Sequence, residues 1–380
     1  MDVRGAVFVG PRRPLSVEDL RLDVPATGEV RVRMAASGIC HSDLHVVDGE
    51  WPRPQGVVLG HEGAAIVEEL GEGVPGRAAD APLDAGLRIG DLVVLAWTAA
   101  CQRCAACLRG QSWLCTTPDG AGHRLAPELV RVRRPDGRAV GVYSGIGTHA
   151  THQVVAASAA IPVDPRTPVE VAALIGCAAT TGVGAVRNTA AVQAGEVVVV
   201  IGLGGVGLSA IMAAVDAGAG CIVAVDREPA KLELALACGA TDAFAPAEAS
   251  EGVGRLTDGG ADHVFEAIGL PTTVELAVDL ARPGGTITLV GMTPQGERAG
   301  IDVYRFVEDG KRLLGSNYGS AVPARDFPWI ASAVVAGRLP MELLVTERIG
   351  LDGIEAAFDA MRRRDGARRV IVFPPPRRRR

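Results

Sequence analysis

A chain of 380 residues, 48% hydrophobic and 22% charged, has a globular composition and is too long for one ordinary core, so two domains are expected. A net charge of −6 argues against a protein drawn to nucleic acid or to an acidic membrane surface by overall charge. Residues 1–10 lack the charged start and apolar run of a secretory signal, so a cytoplasmic protein is expected, with its eight cysteines serving as ligands or core residues rather than disulfides.

In chain order, the first third reads as β-rich, with short alternating runs such as 29–34 and 92–96 between Gly and Pro turns. Residues 75–88, rich in Ala, Pro and Asp, read as a surface loop. A helix rich in small residues is expected over 171–189. A strand at 197–201, a glycine turn, a helix at 208–217, a strand at 221–225 and a helix at 229–238 follow. Residues 263–267 and 286–290 read as further buried strands. Short apolar runs alternating with helices predict βαβ units and a parallel sheet. Residues 197–225 would pass a hydropathy scan, with Asp216 their single charge, but glycines in a fixed pattern beside a valine run favour the strand–helix reading over a membrane span. A helix near 354–363 and a strand at 370–373 close the chain, before a Pro/Arg tail at 374–380 that is expected to be disordered. The fold class is α/β: a doubly wound parallel-sheet domain of the Rossmann type inserted in a discontinuous β-rich domain. The boundaries are 1–178 and 318–380 for the outer part and 179–317 for the insert.

The strand at 197–201 runs into Gly202, Leu203, Gly204, Gly205, Val206 and Gly207, and a helix follows. G-x-G-x-x-G carries weight only in that context. Its glycines permit a tight turn and a close approach of backbone to a pyrophosphate, which the N–H groups at the helix start then hold. Asp226 ends the next strand, nineteen residues after Gly207. A carboxylate there suits ribose hydroxyls and repels a 2′-phosphate, which favours NAD over NADP; the neighbouring Arg227 pulls the other way.

Cys101, Cys104, Cys107 and Cys115 are spaced C-x2-C-x2-C-x7-C, so four thiolates can close a tetrahedron around zinc. A closed shell has no position for substrate, and the lobe at about 98–116 is read as structural. Cys40, His61 and Cys177 are scattered, and spacing alone does not join them. Three ligands with an open position would make a catalytic zinc site, whereas each residue singly suits a core.

The turns Gly38-Ile39-Cys40-His41-Ser42-Asp43 and Gly60-His61-Glu62, the cysteine lobe, Gly176-Cys177 and the glycine-rich turn, in that order, resemble the zinc-containing medium-chain dehydrogenases, the alcohol dehydrogenase family. The resemblance implies a GroES-like catalytic domain, with Cys40, His61 and Cys177 on catalytic zinc and the lobe on a second zinc. Asp43 would orient His61, and Glu62 would assist ligand exchange. Ser42 would take the alcohol proton and pass it through the nicotinamide ribose to His45. His41, Thr181, Val206, Lys231 and Arg368 would contact NAD, Arg368 at the pyrophosphate. Cys221 and Cys238 match no ligand position and are read as core. Ala65 replaces a usual glycine, and the segment between Cys115 and Gly147 is similar to that of dimeric members, so a homodimer is expected.

The implied activity is reversible hydride transfer between a small primary alcohol and NAD. Trp51 and Trp97 fall where family members wall the substrate site and would make it narrow. The segment 317–328 looks like that of actinobacterial members, some of which oxidise the adduct of formaldehyde with a low-molecular-weight thiol, and that is the alternative substrate. From another class, a non-catalytic zinc- and nucleotide-binding protein is opposed by the complete ligand set. A nucleic-acid module is opposed by the acidic charge and the lack of a basic aromatic stripe.

Overall fold

The β-branched side chains of Val197–Ile201 suit a pleated strand buried on both faces, and this strand lies inside a parallel sheet. The computed structural model describes residues 1–116, 130–293 and 296–375. In chain order the strands of this sheet are Val197–Ile201, Cys221–Val225, Asp242–Phe244, Ala261–Glu266, Ala281–Leu289 and Arg312–Gly315. In space they run third, second, first, fourth, fifth, sixth. That is the doubly wound order, which reverses beside the first strand and opens a crevice at the strand ends. Val199, Ile201, Val223, Val225, Val264 and Ile287 bury one face against Ala249 and Val253 of the helix Pro246–Leu256 and Ala277 and Leu280 of the helix Pro271–Leu280. Helix Gly205–Asp216 begins three residues before the expected Leu208, because the last glycines of the turn form its first turn.

This sheet belongs to a unit of Ala178–Ala321 and Gly337–Leu344; a second unit holds Met1–Cys177, Val322–Ala336 and Val345–Arg380. The sequence reading gave 318–321 and 337–344 to the outer domain instead. Met341 explains the second difference: it is fully buried, and its Sδ accepts a hydrogen bond from Ser209 Oγ at 3.8 Å.

The outer unit combines a closed barrel with a larger sheet. The sheet runs Ala160–Pro162, Leu92–Leu95, Gly63–Leu70, Glu29–Gly38, Arg368–Val372 and Val345–Ile349, and His152–Ala156 also pairs with Glu29–Gly38. Val30, Val32 and Met34 alternate inward from the long central strand onto Val67, Val93, Leu95 and Phe358. Ala65 is completely buried and paired with Met34 and Val93, beside a register shift between Met34 and Ala36. The loop at 75–88 is pinned from within: Gly76 bridges Leu87, and Arg77 Nη2 donates to Asp91 Oδ1 at 2.5 Å with both side chains buried. Among the described residues one helix, Val169–Ala190, is long and apolar enough to cross a membrane, and 78% of its most apolar window is buried in the protein, as in a core helix. The segment 197–225 is strand, helix and strand, not a span. Part of the segment between Cys115 and Gly147, and the end of the Pro/Arg tail, lie outside the described residues.

Candidate active site

Strand Glu29–Gly38 ends just before Cys40, which caps the helix His41–Val47 with extended backbone. The turn after Val57–Val58 brings His61 and Glu62 in, and Cys177 projects from a π-turn, Ile175–Ala179, in the long apolar helix. π-Turns often mark functional positions, because they re-aim a side chain without ending the helix. One candidate ligand atom from each of Cys40, His61, Glu62 and Cys177 lies within 4.8 Å of the others. The residues that spacing could not join are therefore together.

Asp43 is fully buried and orients the imidazole: His61 Nδ1 donates to its Oδ1 at 3.1 Å, and Gly60 N donates to the same oxygen at 3.2 Å. This sets the ring's orientation, and the opposite nitrogen, Nε2, is buried with no hydrogen-bond partner among the described residues. Gly60 has φ +93, and a Cβ there would strike Thr148 and His149, so the turn before His61 requires glycine. Cys40 and Cys177 share a hydrogen bond between their sulfurs. The Cys177 hydrogen bond holds Cys40 well below the usual thiol range, and the same bond, with burial, pushes Cys177 up. One thiolate, a second thiol and a free imidazole nitrogen around one point fit a divalent zinc.

Burial pushes Glu62 up to about 7, with Arg368 acting the other way. Arg368 is buried too. Its Nη1 donates to Ile39 O at 3.0 Å and lies 3.6 Å from Glu62 Oε1. The contacts of this residue, expected at a pyrophosphate, thus place its charge against Glu62 beside the metal cluster. Ser42 is half-buried, and His41, at the helix start, is exposed. His45 lies one turn beyond Ser42, bonded through Nδ1 to Glu50 and stacked on Trp51 with ring centres 4.7 Å apart. Trp51 and Trp97 both pack against the core of the outer unit. Sequence reasoning passed over Tyr143, whose ring meets His61 edge-on with centroids 5.8 Å apart, and His149, buried with a ring nitrogen 3.3 Å from Gly38 O. Neither sits in a motif.

In the cysteine lobe, the sulfurs of Cys101 and Cys107 are 3.9 Å apart, as are those of Cys104 and Cys115. Two zinc–sulfur bonds of about 2.3 Å at a tetrahedral angle span about 3.8 Å, so this lobe also fits zinc. Cys104 caps a short helix by accepting from Cys107 N at 3.5 Å, which lowers its thiol pKa. Cys221 and Cys238 stand in neither cluster, and Cys238 is buried.

In the inserted unit, Gly202 has φ +94, and a Cβ on Gly207 would run into Gly202 O, so both glycines are required sterically. Gly204 caps the helix that Gly205 opens. Asp226 Oδ2 accepts from Leu203 N at 2.8 Å and lies 3.7 Å from Lys231 Nζ. Arg227 instead points its charge at Glu228, 3.5 Å away. Gly182, next to Thr181, lets its helix approach Val206 O, where a Cβ would clash.

The family models named "Alcohol dehydrogenase GroES-like domain" and "Zinc-binding dehydrogenase" match residues 26–165 and 205–336. An S-(hydroxymethyl)glutathione dehydrogenase of Photobacterium damsela subsp. piscicida is 34% identical over 98% of this chain and 100% of its own length. One from Synechocystis sp. is 33% identical, with the same coverage. The solved structure of an alcohol dehydrogenase zinc-binding domain protein from Burkholderia ambifaria is similar at TM-score 0.90 and 33% identity, covering 99% of this chain and 100% of that one. Benzyl alcohol dehydrogenase from Acinetobacter calcoaceticus gives TM-score 0.88 and 29% identity, covering 98% and 100%. Fold and clusters together define a zinc-binding dehydrogenase. The chain belongs to the zinc-containing medium-chain alcohol dehydrogenase family.

Proposed function

We propose that this enzyme oxidises a primary carbinol with NAD, and that its substrate is the S-hydroxymethyl adduct of formaldehyde with a low-molecular-weight thiol. The carrying observation is the His61 Nε2, unpartnered among the described residues, clustered with Cys40 and Cys177, with Asp43 holding the other ring nitrogen. The thiol adduct is favoured because two relatives that match the chain from end to end are named for such a substrate. A second reading, an ordinary or benzylic primary alcohol, draws on the likeness to benzyl alcohol dehydrogenase. When bound, zinc supplies a Lewis acid for the carbinol oxygen and NAD accepts hydride. Cys40, His61 and Cys177 hold the catalytic metal, Glu62 assists ligand exchange, and the four-cysteine lobe holds a structural zinc. Ser42 accepts the hydroxyl proton and His45 releases it to solvent, with Trp51 stacked on His45 narrowing the approach. His41, Thr181, Val206, the glycine turn, Asp226 and Lys231 serve the dinucleotide, and Arg368 does so with the donors that its contact with Glu62 leaves. Initial rates with formaldehyde, NAD and a graded thiol test the substrate class. Saturable thiol dependence is expected, whereas thiol-indifferent rates alongside brisk oxidation of benzyl alcohol would favour the second reading.

The enzyme is read as a cytoplasmic homodimer. The edge strand Arg312–Gly315 leaves Leu313 41% exposed, and Val303, Tyr304 and Val307 before it are more than two-thirds exposed, a surface suited to a second copy.

Asp226 makes NAD the better cofactor. Asp226→Ser removes the charge that opposes a 2′-phosphate and narrows the gap in kcat/KM between NAD and NADP. It also raises KM for NAD, because Leu203 N loses its acceptor. A wild-type enzyme with higher kcat/KM for NADP would refute this assignment.

Cys104→Ser acts on stability. A structural site contributes directly to folding, and losing about 3 kcal/mol lowers Tm by roughly 6–12 °C in a domain of some 200 residues. Scanning calorimetry with zinc analysis checks it; an unchanged Tm with the lobe zinc gone would sink the structural role.

A further inference from the structure

Arg53 lies on the segment that follows the helix His41–Val47, in the outer unit. Its guanidinium carbon is 5.9 Å from the centre of the Tyr143 ring, the same buried ring whose edge meets His61. One aromatic side chain therefore touches both a candidate metal ligand and a cation, and the contact with Tyr143 holds the guanidinium in place. The carboxylates nearest to Arg53 in sequence are engaged elsewhere. Asp48 pairs with Arg362 at 2.6 Å, and Glu50 with His45. Arg53 spends Nη1 on Pro52 O at 2.8 Å, and its buried Nε has no hydrogen-bond partner. The edge formed by Nε and Nη2 is the one that accepts a carboxylate side-on through two parallel hydrogen bonds. A buried donor left unfilled is costly, and a ligand that fills it recovers that cost.

We propose that Arg53 is a specificity-determining residue that recruits substrates carrying a carboxylate at the end remote from the carbinol. This rests on the reading of His61 as part of a carbinol-oxidising centre. The guanidinium takes the anion, Tyr143 fills the space between it and His61, and the carbinol end is left at the metal cluster. Lysine could not replace the side-on fork, because an ammonium is a point charge on a flexible stem.

The test compares 4-(hydroxymethyl)benzoate with 4-methylbenzyl alcohol as substrates of the zinc-loaded enzyme with NAD, for wild type, Arg53→Gln and Arg53→Lys. Wild type should favour the carboxylated alcohol. The ratio of kcat/KM values should fall about ten- to a hundredfold in Arg53→Gln and part of the way in Arg53→Lys. The same ratio in wild type and Arg53→Gln would overturn the proposal. Should wild type oxidise neither alcohol, the proposed activity fails instead, and calorimetric titration with benzoate decides the inference. Binding to wild type that Arg53→Gln loses supports it; equal binding, or none, overturns it. Should Arg53→Gln not fold, raising the salt concentration with wild type serves. The preference should then shrink, and a salt-independent preference would count against the anion contact.

Discussion

His61→Ala should take turnover below detection while leaving the thermal transition close to that of wild type. His61 is 4% exposed and lies in a turn, not in a packed strand, so truncating it removes a ligand more than a core contact. The three-ligand set then becomes a pair of thiols that share a proton, which holds a divalent ion poorly. Cys177→Ser should act likewise. Asp43→Asn should be milder, costing about 10- to 100-fold in metal affinity or activity, because the imidazole loses its orienting carboxylate but stays in place. Metal analysis after dialysis provides the check, with two zinc ions per wild-type chain and one in His61→Ala. Wild-type protein that is fully active with at most one zinc would refute the assignment.

Much of the inserted unit was legible because its signals are local. The valine run, the glycine turn and Asp226 are contiguous or nearly so, and each has one physical reading: a buried strand, a backbone that must come close, a carboxylate at a strand end. The cysteine lobe was legible for the same reason, since four ligands within fifteen residues carry their own geometry. The catalytic cluster was not legible from spacing. Cys40, His61 and Cys177 are joined by the pairing of the strands Glu29–Gly38 and Gly63–Leu70 and by a π-turn in the helix above them, and only the family resemblance brought them together beforehand. Residues acting through a ring face or a salt bridge left still less trace. Tyr143 and Arg53 belong to no motif, and the contact of Arg368 with Glu62 depends on a strand near the end of the chain pairing back onto residues 36–38. Gly337–Leu344 was misplaced because a short apolar stretch does not announce which core buries its Met341.

Ser42→Ala should cost about 100- to 10,000-fold in kcat, the usual worth of a general acid–base step, while His45→Ala costs far less. The two residues stand one turn apart on the helix His41–Val47, so they share a face, but their surroundings differ. Ser42 directly follows Cys40 and His41 and is partly buried, and a hydroxyl there can both accept the carbinol proton and pass it on. The His45 side chain is 26% exposed, bonded to Glu50 and stacked on Trp51, at the solvent end of the route, where a water molecule can take over the hand-off. In His45→Ala, added buffer of small imidazoles should restore part of the lost rate, because a diffusing base can enter the space that the truncated, partly exposed side chain leaves. Ser42→Ala should not respond, because the carbinol it is proposed to deprotonate would lie at the buried Cys40, His61 and Cys177 cluster. Rates for both variants measured across pH and imidazole concentration decide the matter: equal and negligible losses would remove these residues from proton transfer, and imidazole rescue of Ser42→Ala would reverse their order.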